Sequence, residues 1–449
     1  MSSSQDLRLQ TSTRQILGLA LPISLALVVP QINFITNNIF LSGLGESELA
    51  SAGITGVYYL IFAVIANGLN NGLQALIARR AGQNLPREIG KLFYHGVWVS
   101  IAFAFVGIII TYLFAPMVLR ATIHNPQVAN QVIDFILIRI WGLPFLYLYG
   151  MRNALLVGTN QTRLLVWGTM AEAFTNIILD YSFIYGHFGM PAIGFNGAAY
   201  ASIIAEATGL LVIYLVIHYK KIHQQFAFFV DIKIDWPAFR LIIVQSSPLI
   251  AQYAISIITW EYFYILIEHH GERSLAISNT MRNIFGLAGI FSWSFAATTS
   301  TMVSNIIGQG REEEVLPLIR KIIKISVSCS VVIVIALNAF PTAFLSFYGQ
   351  GPEFISEAIP VVRIVSVALI MMSFGVVWLN AVTGTGNTQI NLLIELITII
   401  LYCVYVYVTL EYLNLPITWG WASEWVYWMS MFSMAFFYVR SGKWKGKKI

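Results

Sequence analysis

Residues 16–50 read ILGLALPISLALVVPQINFITNNIFLSGLGESELA, and that stretch decides the architecture. From Ile16 to Leu41 it carries no Asp, Glu, Lys, Arg or His. A helix rises about 1.5 Å per residue, so roughly 20 such residues cross a hydrocarbon core of about 30 Å. The run then breaks at Gly43 and Gly45 beside two acids, Glu46 and Glu48. The same mark returns 226 residues later, where GERSLA at 271–276 answers GESELA at 45–50. At that offset Pro22 falls on Pro248 and Gly82-Gln83 on Gly308-Gln309. With small loop shifts Asn153 meets Asn380, and Arg139 meets Arg363. The chain therefore reads as an internal duplication of a membrane-spanning unit.

Composition agrees. Of 449 residues, 57% are hydrophobic and 10% charged, against about 25% charged in soluble domains. Twelve spans are expected, near 15–42, 51–78, 93–119, 131–157, 164–186, 195–219, 240–268, 275–306, 321–347, 355–383, 390–412 and 416–439. The first run is too long for a cleaved signal and is read as a retained helix. Cys329 and Cys403 lie in apolar runs as small hydrophobes, and no disulfide or metal-binding Cys/His spacing is present. The fold class is thus all-α and polytopic. Its halves are a six-helix lobe at 1–219, a charged linker at 220–239 and a second six-helix lobe at 240–449.

Charge placement sets the direction. The termini and the loops on their side hold 20 of the 26 Lys and Arg, while the opposite loops hold only Arg120 and Arg273. This positive-inside asymmetry makes both termini cytoplasmic and explains the net charge of +5 without any nucleic-acid partner. Six spans per half make the repeats parallel, a plan in which substrate sites lie at the repeat interface.

Buried ionisable residues are the candidates for chemistry, because an ionised carboxylate in hydrocarbon costs about 2.5–3.5 kcal/mol. The fifth span aligns Glu172, Asn176 and Asp180 at i, i+4 and i+8 on one helix stripe. Around a cation, Asp180 supplies charge while Asn176, Asn37 and Ser202 supply neutral oxygens of the kind hard cations take. The bland reading is that Asp180 only bonds polar neighbours between packed helices. In the second half, Glu261 beside Trp260 is the candidate, acting by protonation. Asn33, Asn38 and Arg282 are read as cavity or supporting residues, and Arg139 and Arg363 as structural counter-charges. Trp260, Trp293 and Trp378 are candidates for a cavity wall that attracts organic cations. Glu206 and Glu395 are read as internal partners, and His269-His270 as a solvated pair at an outer loop.

LALPISL and IFLSGLGESELASAG, LLVGTNQTR at 155–163, NIILDYSFIYG with GFNGAAYAS over 176–202, GERSLAISNTMR at 271–282, NIIGQG at 305–310 and TGTGNT at 383–388 together resemble the multidrug and toxic compound extrusion (MATE) family of secondary transporters. The resemblance covers essentially the whole chain and implies a V-shaped fold of twelve helices around a central cavity. It also implies export of organic, often cationic, compounds in exchange for Na⁺ or H⁺. By the same resemblance Asn176, Asp180 and Ser202 match the family's N-lobe ion site, where Na⁺ is a possible occupant. One departure stands out: where many relatives carry a first-helix acid, this chain has Asn37, which can coordinate but not titrate.

Other classes fit less well. No GxxxxGK[ST] loop is present to couple ATP, and no cofactor motif is found. A flippase for a lipid-linked saccharide would want a strongly basic cavity, but only Arg139, Arg152, Arg282 and Arg363 lie within spans. An embedded enzyme would need a His/Asp constellation deep in a span. The expectation is an ion-coupled exporter of small organic molecules in the bacterial plasma membrane. Its partners are substrate and lipid, and since one chain holds both halves, a monomer is expected.

Overall fold

The computed structural model describes residues 6–228, 230, 233–348 and 351–447. Among the described residues, the chain forms twelve membrane-length helical segments and no strand. The first six are α1 (Thr13–Ser42), α2 (Glu46–Gly82), α3 (Pro86–Thr122), α4 (Pro126–Gly158), α5 (Leu165–Tyr185) and α6 (Phe195–Tyr219). The second six are α7 (Trp236–Glu268), α8 (Glu272–Gly308), α9 (Val315–Ala339), α10 (Gly351–Gly384), α11 (Thr388–Tyr412) and α12 (Ser423–Arg440). Helices α2, α3 and α8 each run 37 residues, about 55 Å, longer than a hydrocarbon core of about 30 Å is thick.

Nine of the segments are apolar enough by composition alone to cross a membrane. The other three are α5, α8 and α12, and each is diluted by polar side chains. In α5 these are Glu172, Asn176 and Asp180; in α8 they are a run of Ser and Thr around 292–304. Each of the three carries buried polar groups, Asp180 in α5, Thr298 in α8 and Glu424 in α12 among them.

Local breaks have identifiable causes. Within α4 the helix tightens to a 3-10 turn at Ile140–Gly142, because Pro144 has no N–H to offer the Ile140 carbonyl. The last residues of α11, Tyr407–Tyr412, widen into a π turn. There Leu410 presents its carbonyl to His270 Nε2 at 3.1 Å, and Glu411 pairs with His269. His269 is exposed while it pairs with Glu411, and His270 is partly buried against α11.

Contacts divide the chain into two compact units, one containing Leu25–Ile250 and the other Arg8–Ser24 with Ala251–Ile449. Both crossovers fall inside a helix, two residues after the repeat-related prolines Pro22 and Pro248. An interior proline removes one helical hydrogen bond and crowds the preceding turn, so the two ends of such a helix can join different packing partners. In the first unit, core clusters form around Phe62 and Tyr147, around Phe135 and Phe195, and around Leu119 and Ile133. In the second, one continuous core runs from Leu9 and Ile16 through Phe295 and Leu369 to Trp421.

The linker is packed down. Phe226 is buried, and Phe228 stacks on Phe93 of α3 with centroids 4.7 Å apart. The Asp235 N–H donates to His95 Nε2 at 2.9 Å, and the Asp235 carboxylate pairs with Lys91. A Cβ at Gly90 would collide with the Phe226 carbonyl oxygen, so Gly90→Ala should undock the linker and speed its cleavage by trypsin at Lys220–Lys221. The Lys91 hydrogen bond, and next the Ala238 N–H, hold the Asp235 carboxyl below the usual Asp range. A depressed carboxyl adds stability above its unfolded value, about pH 4, and loses it as pH falls through its own lower value. The protection of 233–238 against hydrogen exchange, relative to the intrinsic rate at each pH, should accordingly stay constant between about pH 5 and 8 and fall only in stronger acid.

Candidate functional site

The polar centre of the first unit is built on the α5–α6 pair. These helices run antiparallel and touch through small residues: a Cβ on Gly197 would lie 2.7 Å from the Phe183 carbonyl oxygen, and one on Gly209 3.0 Å from that of Gly168. That register sets Ser202, partly buried, opposite Asn176 to within a residue or two. The stripe of α5 faces inward, with Asp180 fully buried and Asn176 5% exposed. Glu172 is partly buried and interacts with Arg152 and Tyr149.

Among the described residues, neither oxygen of Asp180 has a hydrogen-bond partner, nor does Asn176 Nδ2. Buried polar groups are nearly always bonded, and an orphaned one costs about 1–3 kcal/mol, more when charged. Helix α1 brings further orphans. The Phe40 carbonyl accepts from the Tyr185 hydroxyl at 2.6 Å, and the Phe40 ring packs on Tyr181 at 6.0 Å. Asn33, Asn37 and Phe40 share one α1 face by their i, i+4 and i+7 spacing, so the two amides lie along the face that meets the C-terminal end of α5. Both have a buried Oδ1 without a partner. The side chain of Asn38 lies outside the described residues.

Two arginines stand nearby. Arg139 makes a two-pronged pair with Glu206 at 3.0 and 2.5 Å and stacks 3.9 Å above the Tyr59 ring. Its charge also acts on Glu172 and Asp180. Gly142 leaves room for the pair, since a Cβ there would lie 2.6 Å from Glu206 Oε2. Arg152 is fully buried and sits 3.5 Å over the Tyr149 ring. With Arg139 committed to Glu206, Asp180 is a buried acid without a contacting cation among the described residues.

The second unit arranges its acids differently. Glu395 is fully buried and accepts from Ser256 at 2.6 Å, Tyr427 at 2.5 Å and Gln252 at 3.4 Å. Asn391 extends that net from Gln252 to Thr383. Glu424, 2% exposed, accepts from Trp428 Nε1 at 2.9 Å and interacts with Trp260 and Tyr402. Neutral donors thus surround both acids. Glu261 is exposed, apart from these nets, as is Arg282, whose guanidinium lies 5.2 Å over Tyr264. Arg363 is also exposed, whereas its repeat mate Arg139 is paired. Trp260 is partly buried against Tyr264, and Trp378 packs into the core against Phe436. The sequence reading passed over Glu424 and Arg152 as site residues; a charge within an apolar run was the available signal for both.

Comparison with known proteins agrees with the duplication. The MatE family model matches twice, over residues 22–182 and 248–408, the same 226-residue offset. A Thermotoga maritima protein called probable multidrug resistance protein NorM is 22% identical over 441 residues, covering 97% of this chain and 94% of that protein. A Synechocystis protein of the same name is 22% identical over 408 residues, covering 86% and 85%. A solved structure described as the outward-facing conformation of a multidrug resistance MATE family transporter superposes with a TM-score of 0.90 at 19% identity, covering 98% of each chain. A Pyrococcus furiosus transporter of the MOP superfamily, described as having a binding pocket of reverse polarity, gives 0.87 at 19% identity over 98% of each chain.

Proposed function

The chain belongs to the MatE family, and from that premise we propose that it is a secondary antiporter that exports organic cations or amphiphiles in exchange for Na⁺ or H⁺. The observation that carries the reading is Asp180: a carboxylate wholly withdrawn from solvent with neither oxygen bonded. A resting carboxylate in that state is costly, and binding a cation or a proton removes the cost. The buried Oδ1 atoms of Asn33 and Asn37, with Asn176 and Ser202, fit the oxygen-rich surroundings of a hard cation. Asn37 coordinates without titrating, which leaves the charge change to Asp180.

In this reading the halves at 1–219 and 240–449, joined by 220–239, alternate access across the bacterial plasma membrane with both termini in the cytoplasm. A single chain carries the whole cycle. Occupied Asp180 favours one arrangement of α1, α5 and α6, and empty Asp180 the other, so the ion gradient drives the substrate through differential affinity. Proteoliposomes loaded with a fluorescent organic cation provide the test, with a Na⁺ gradient or a pH gradient imposed singly. Movement under one gradient identifies the ion. No movement under either, in folded and oriented protein, removes the exporter reading.

A further inference from the structure

A pocket of about 440 Å³ lies between the start of α3 and the segment entering α7. Its walls are Arg87, Glu88 and Lys91 on one side and Lys233, Asp235 and Trp236 on the other. Three cations face two carboxylates there, and Asp235 is already engaged by Lys91 and by the Ala238 N–H at 3.2 Å. Arg87 and Lys233 are exposed residues of that lining. Beside them Ile234 is 71% exposed and Trp236 69%, and Leu85, just before α3, is exposed too. The floor is held by the docked linker: Asp235 on His95, and Phe228 on Phe93.

Two membrane helices begin here, so the exposed Trp and Ile lie at the level where a bilayer changes from acyl chain to headgroup. Aromatic bodies settle at that level, and basic side chains beside them reach the phosphates of an anionic inner leaflet. We propose that this pocket binds the phosphate of an anionic phospholipid, with Arg87 and Lys233 as ligands and the acyl chains lying over Ile234 and Trp236. Because the pocket is preformed, little ordering cost opposes binding. A lipid seated there touches both α3 and the linker and so clamps them together. The assignment rests on the cytoplasmic orientation proposed above, not on the identity of the exported substrate.

The full-length protein in phosphatidylcholine nanodiscs, doped with phosphatidylglycerol, provides the test by native mass spectrometry of retained lipid. Each basic residue near a membrane surface contributes about a fivefold preference for anionic lipid, so the wild type should retain phosphatidylglycerol roughly 25-fold better than Arg87→Gln/Lys233→Gln. Trp236→Ala should weaken lipid retention, and the double variant's melting temperature in pure phosphatidylcholine should match wild type. Equal phosphatidylglycerol retention by wild type and double variant would overturn the proposal. So would full competition by soluble glycerol phosphate, which would mark a site for free phosphate esters. Each readout is independent of transport, so a failed efflux assay leaves the assignment untouched.

Discussion

Asp180→Asn should abolish gradient-driven export while leaving the protein folded. The substitution keeps the shape and the buried position but removes the charge that a cation or proton would neutralise at that site. An ion that shifts affinity between two states does so by typically 1–3 kcal/mol, a factor of about 5–150. The amide that replaces the carboxylate has no charged form, so both states bind the ion alike and the gradient no longer favours either. Stability moves the other way, because an ionised group in hydrocarbon costs about 2.5–3.5 kcal/mol. The variant should melt at the wild-type temperature or above it. Glu261→Gln, at an exposed position outside the buried nets, should retain export. Full coupled export by Asp180→Asn would place coupling elsewhere, with Glu395 and Glu424 the buried acids to test next.

The largest stability effect should come from splitting the Arg139–Glu206 pair. Both side chains are mostly buried, at 13% and 12% exposed. Arg139→Met leaves Glu206 buried without its cation, and losing one partner of such a pair costs about 3–5 kcal/mol. Arg139→Met/Glu206→Leu should recover much of that loss, since the surviving charge is gone as well. Reversible denaturation in mixed micelles measures both. A single variant as stable as wild type would mean that water, not Arg139, satisfies Glu206. Arg139 also acts on Asp180, so its removal should disturb coupling too, and the double variant separates that effect from misfolding.

Much of this architecture was legible because its signals are local or periodic. The Pro22/Pro248 and GESELA/GERSLA marks need only the sequence, and they fixed twelve spans even where α5, α8 and α12 lack the hydropathy of a membrane helix. The stripe of Glu172, Asn176 and Asp180 is likewise a matter of 3.6-residue periodicity. What the sequence withheld is which donors a buried acid finds. Glu395 lies in LLIELITII, as conspicuous as Asp180; its donors are Ser256, 139 residues away, and Tyr427 on the next membrane helix. For Glu261, a position in an apolar run does not say which side of α7 it faces; the residue is exposed there. The docked linker and the His269–Glu411 pair were also hidden, since both depend on loops meeting distant helix ends.

The central claim is that ion occupancy at Asp180 and substrate binding are thermodynamically linked. The most direct measurement is the equilibrium affinity of purified protein for a fluorescent organic cation, titrated with Na⁺ at fixed pH and with protons at fixed Na⁺. In wild type, one of the two ions should change the dissociation constant by about 5–150-fold, and Asp180→Asn should bind with a constant indifferent to both. An ion effect of equal size in wild type and Asp180→Asn would contradict the account.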